Sequence, residues 1–137
     1  MNRNARKAAV KGKRRKELGQ SFAYQWRYDR LVRSTEFGRG RFNQVAVPMK
    51  EVESIIISCF HAQAVTGNNF TNGDVAMIAY GWSKNQHPRG LEKVGVVIAF
   101  LHHEGLARCG YRRMTTIPDR ITMGRIMDAI GRLPQVD

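Results

Sequence analysis

His102, His103 and Glu104 stand side by side, Cys59 and His61 lie two residues apart, and Cys109 follows later in the chain. These side chains can ligate transition metals or act as general bases. Their spacing argues against both roles. Successive residues on a helix point about 100° apart, so His102 and His103 do not converge on one ion. Cys59 and His61 diverge further, and a site drawn from Cys59, His61, His103 and Cys109 would depend on distant segments meeting. The two cysteines give no disulfide framework or metal spacing and read as reduced, partly buried thiols. No Ser-His-Asp set, phosphate-binding glycine loop or paired-carboxylate site is visible. Gly38-Arg39-Gly40 lacks the strand–helix context of a dinucleotide fingerprint. The expectation is a non-enzymatic chain with no metal and no cofactor.

The chemistry that the sequence does offer is cationic. The chain has a formal net charge of +12, and its distribution is uneven. Residues 1 to 50 hold 14 Lys and Arg against 3 acids, whereas residues 51 to 137 hold 9 against 8. A single-sign block of this kind meets a polyanion more readily than it folds on itself. Arg3, Arg6, Lys7, Lys11, Lys13, Arg14, Arg15 and Lys16 can neutralise phosphates and release counterions, which gives affinity without sequence specificity. Arg39 and Arg41 extend the cationic stretch into the segment Gly38-Arg39-Gly40-Arg41-Phe42, which reads as a flexible linker. Between arm and linker, Phe22, Tyr24, Trp26 and Tyr28 alternate as on one face of a strand. Phe22 with Trp26, and Tyr24 with Tyr28 and Leu31, also fit helical spacing, so both readings stand. Beside Arg27 and Arg30, these rings either close a core or stack on unpaired bases.

The elements that must position these groups become legible at Pro48, which suits a helix start. Val52, Ile55, Ile56, Cys59 and Phe60 then form one apolar stripe. Gly67-Asn68-Asn69 ends that helix. Thr71 with Asp74 three residues on predicts a capping box and a short helix to about Tyr80, stopped by Gly81. A third helix starts at Pro88, with Leu91, Val94, Val97, Ile98 and Leu101 on its core face. Gly105 closes it, and residues 106 to 117 read as a hairpin with a Cys-Gly turn. Thr122 caps a last helix with Met123, Ile126, Met127, Ile130 and Leu133 on one face.

Helix, short helix, longer helix and basic hairpin, with LEKVGVVIAFLHHEGLARCGYRR over residues 91 to 113, resembles the winged helix-turn-helix superfamily. The fold expected is mainly α with a small β-hairpin, behind a basic, partly disordered N-terminal arm. The divisions expected are an arm (1–20), an aromatic and basic segment with a Gly-Arg linker (21–47), a winged-helix domain (48–117) and a C-terminal amphipathic helix (118–137). The resemblance implies that the third helix enters the major groove and that the hairpin touches backbone or minor groove. Lys84, Asn85, Gln86, His87, Arg89 and Lys93 at the helix entrance, and Arg108, Arg112 and Arg113 on the wing, are then the contacts. Val96 and Phe100, with Ala99, form an apolar patch opposite the core face, to be covered by the aromatic segment 22–28, by the last helix or by another protein, the last of which makes it a protein-docking surface.

The arm and small body resemble, in style, a DNA-binding transcription regulator of a phage or mobile element. The arm is also similar in composition to the RNA-binding segments of phage antitermination proteins. That likeness implies the alternative of an RNA-binding factor docked on RNA polymerase or the ribosome. Residues 122–133 could complete the core or form a homodimer seam. No apolar run reaches about 18 residues, so no membrane-spanning helix is expected. The N-terminus lacks the apolar stretch of a secretory signal. The expected location is bacterial host cytoplasm or nucleoid.

Overall fold

The computed structural model describes residues 20–37, 42–81, 88–110, 112 and 114–136. Their secondary structure is mixed α/β and falls into two compact units, Met1–Ala46 with Pro134–Asp137 and Val47–Leu133. Arm residues 1–19, the linker residues 38–41 and residues 82–87 lie outside the described residues.

The first unit is a sheet. Strands β1 (Gln20–Arg27), β2 (Arg30–Phe37) and β3 (Phe42–Pro48) run as a meander, and β6 (Gln135–Val136) lies beside β1 in the order β3-β2-β1-β6. The aromatic segment is therefore a strand. In the antiparallel register Trp26 faces Leu31 and Tyr24 faces Arg33, while Gln25 faces Val32 and Arg27 faces Arg30. Directly opposed residues share a sheet face. One face carries Trp26, Leu31 and Val45, all buried. The other carries Arg30 and Gln44, both exposed, with Val32 as a buried apolar member. Period-2 alternation, not ring count, selects the strand here.

Two expectations are corrected in this unit. Residues 42–47, expected as part of a linker segment, are strand β3, because Val45 and Val47 alternate with Gln44 and Ala46. Residues 135–136, expected within the C-terminal helical segment 118–137, instead form β6, which pairs in parallel with β1. Trp26 N–H donates to the Pro134 carbonyl at 2.8 Å. A two-residue strand has no periodicity to read in a sequence.

The second unit holds helices α1 (Met49–Thr66), α2 (Asn72–Tyr80), α3 (Pro88–His103) and α4 (Met123–Gly131), with the hairpin β4 (Arg108–Cys109) and β5 (Thr115–Thr116). The first three helices pack on one another. Helix α1 buries Val52, Ile55, Ile56 and Cys59 of the expected stripe, with Phe60 half-buried, and stops at Gly67 with φ 83°. Helix α2 opens with the full capping box. Thr71 Oγ1 accepts from Asp74 N–H at 3.1 Å, and Asp74 Oδ2 accepts from Thr71 N–H at 2.9 Å. Thr122 likewise caps α4 by accepting from Arg125 N–H at 3.1 Å.

Helix α3 is buried on more than its expected core face. Val94, Val97, Ile98 and Leu101 are buried as expected, but Val96 and Phe100 are also fully buried. The C-terminal half of α3 is apolar nearly all round, which is the pattern of a helix interior to its protein. Val96 and Phe100 are thus core residues and not an open docking face. On α4, Ile126 and Ile130 are fully buried and Met127 is half-buried, as is Leu133 just beyond the helix.

Candidate nucleic-acid interface

The hairpin after α3 is held by its base. Phe70, between α1 and α2, exchanges two backbone hydrogen bonds with Thr115: Phe70 N–H donates at 2.9 Å and Thr115 N–H at 2.7 Å. The Gln63 amide of α1 does the same for the next position but one. Its Nε2 donates to the Ile117 carbonyl at 2.8 Å, and its Oε1 accepts from Ile117 N–H at 2.7 Å. Thr115 Oγ1 lies 3.2 Å from His102 Nε2 at the end of α3. A β4–β5 pairing of only two residue pairs is weak alone. These three ties fix it to α1, to the α1–α2 junction and to α3.

The tip carries cations outward. Gly110 N–H donates to the Met114 carbonyl at 2.7 Å and closes the loop. Arg108 on β4 is exposed, and Arg112 at the tip is exposed with φ 59°. Arg89 is exposed in the first turn of α3, where aligned peptide dipoles already favour an anion.

Lys93 is placed differently from its expected role. Its Nζ lies 2.9 Å from Glu51 Oε1, which also accepts from the Tyr80 hydroxyl at 2.8 Å. Glu51 therefore joins α1, α2 and α3, and Lys93 is engaged in that joint instead of standing open at the helix entrance. Burial, then the Glu51 hydrogen bond and charge, raise the Tyr80 pKa and keep the phenol protonated. The residues involved are 29 and 42 positions apart in sequence, so no local pattern announces them.

Arg3, Arg6, Lys7, Lys11, Lys13, Arg14, Arg15, Lys16, Arg39, Arg41, Lys84, Asn85, Gln86, His87 and Arg113 lie outside the described residues. Arg120, Arg125 and Arg132, which no sequence motif singles out, are exposed on and around α4. Only a folded surface distinguishes such cations from core-facing neighbours.

The tempting metal ligands do not assemble. Among the described residues no group of three His, Cys, Asp or Glu side chains is placed to hold an ion. Cys59 is buried, and desolvation pushes its thiol up to about 12, which leaves it protonated and a poor ligand or nucleophile. Cys109, His61 and His103 are exposed, while partial burial lowers the pKa of His102. No described helix is long and apolar enough to cross a membrane. Comparison with protein-family models, curated proteins and solved structures finds no match for the chain.

Proposed function

We propose that the chain is a non-enzymatic nucleic-acid-binding protein, a DNA-binding transcription regulator of phage or mobile-element type. Its body is read as a winged helix-turn-helix, with α2 and α3 as the helix pair and β4–β5 as the wing. The observation that carries this reading is the anchored hairpin. It follows α3 directly, is fastened through Phe70, Gln63 and His102, and presents Arg108 and Arg112 outward. Arg89 adds a cation at the start of α3. The arm then supplies electrostatic affinity, and the body supplies orientation and limited readout. The same arm fits a second reading, an RNA-binding factor associated with a polymerase or ribosome. The burial of Val96 and Phe100 removes the docking face on which the protein-contact half of that reading rested.

The test is duplex binding by the full chain with Arg89, Arg108 and Arg112 all replaced by Ala. If the wing and helix entrance meet phosphates, affinity falls. The slope of log K against log salt then drops by about 0.9 for each phosphate that is no longer neutralised. Duplex binding identical to the parent's would remove the body from the interface and leave the arm alone.

A further inference from the structure

The β1–β2 hairpin turns through Tyr28-Asp29, between the paired residues Arg27 and Arg30. Tyr28 is 76% exposed and has φ 59°, a left-handed conformation that a bulky residue adopts rarely and that glycine would adopt freely. The chain thus holds a large ring in water at a position better suited to no side chain. Strain of this kind is retained where the surroundings or a function demand it.

Behind the turn lies a concavity of about 560 Å³ on the polar face of the sheet. Its lining includes Tyr28, Arg27, Arg30 and Gln44, with buried Val32 among them. That volume is in the range of small-ligand sites, about 300–1,000 Å³. The Arg27 Nε is buried and has no hydrogen-bond partner. Gln44 Nε2 donates to Ser34 Oγ at 3.0 Å, which orients the amide and leaves its carbonyl oxygen for another partner. Asp29 also lines the concavity, so two guanidiniums face one carboxylate and the site remains cationic. Tyr28 is the aromatic ring in that lining, and it is exposed, whereas Trp26 is buried and Tyr24 half-buried, so stacking on a ligand here falls to Tyr28.

We propose that this concavity binds one unpaired nucleotide of a single-stranded nucleic acid. The base stacks on Tyr28, its edge meets the Gln44 amide, and its phosphate sits against Arg27 and Arg30. This rests on the nucleic-acid reading above and names a second site, distinct from the wing. A duplex keeps its bases stacked and offers none to the ring, whereas a single strand can splay one out.

The experiment compares binding of short oligouridine, oligothymidine and duplex DNA to the full chain and to Tyr28→Gly, Tyr28→Phe and Arg30→Ala. Gly relieves the positive φ, so Tyr28→Gly should melt no lower than the parent and separate loss of the ring from loss of the fold. Tyr28→Gly should weaken single-strand binding about 5- to 160-fold, the range for one base–aromatic stack. Tyr28→Phe should retain binding, Arg30→Ala should weaken it, and duplex binding should hold in Tyr28→Gly. The oligomer that responds more strongly, ribose or deoxyribose, identifies the strand. Undiminished single-strand binding by Tyr28→Gly, beside normal duplex binding, would overturn this site alone. An unaltered chain that binds none of the three nucleic acids would overturn the nucleic-acid reading with it.

Discussion

At the scale of single residues, His102 gives a pH-dependent readout of the hairpin's attachment. Partial burial lowers its pKa, so the folded protein favours the neutral ring. The unfolded chain, with an ordinary value of about 6.5, then binds more protons as pH falls. Its stabilising effect is therefore complete above about pH 6.5 and is lost as pH falls below that value toward the folded pKa. Urea midpoints should drop between about pH 7.5 and about pH 5.5, a window above most carboxylate titrations. His102→Gln should flatten that drop, and an unchanged slope in the variant would assign it elsewhere. The individual histidines are visible in the sequence. Which of them turns inward is not, because His102 and His103 are neighbours and only the packing of α3 half-buries one and exposes the other.

At the scale of elements, local chemistry is most legible where it is self-contained. The Thr71–Asp74 box, the Thr122 cap and the Gly67 and Gly81 stops each lie within a few residues of the helix they bound. Thr71→Ala should lower stability by about 0.5–2 kcal/mol through the loss of the α2 cap, measurable by thermal or urea unfolding. The hairpin is the opposite case. Gln63→Leu removes both hydrogen bonds to Ile117, which lies 54 positions away, and should destabilise by about 1–3 kcal/mol. Amides of residues 115–117 should exchange faster in the variant, and unchanged protection there would show that the remaining ties, through Phe70, His102 and β4, hold the strand without Gln63. The alternation over residues 44–47 is present as a pattern but is masked by the Gly-Arg stretch before it. The expected role of Val96 and Phe100 fails because a helical wheel counts faces and cannot say how many of them are covered.

At the scale of the whole molecule, charge and shape divide. The excess of cations lies in residues 1–50, and residues 51–137 are nearly neutral. Deleting residues 2–20 removes eight basic side chains. The salt slope of nucleic-acid binding should become shallower by several, up to about 7, with all sequences weakened alike. A deletion that erased sequence preference while leaving the slope intact would reverse the roles assigned to arm and body. The sequence by itself determined the net charge and its placement, the helix order from Pro48 onward, and the caps, because each depends on composition or on residues a few positions apart. The tertiary structure decided the rest. It made the aromatic segment a sheet face, returned residues 135–136 to β1, engaged Lys93 with Glu51 and buried Val96 and Phe100. It also left Tyr28 in water above a cationic concavity. These outcomes depend on which surfaces are covered by chain that is distant in sequence, and solvent exclusion of that kind has no local signature.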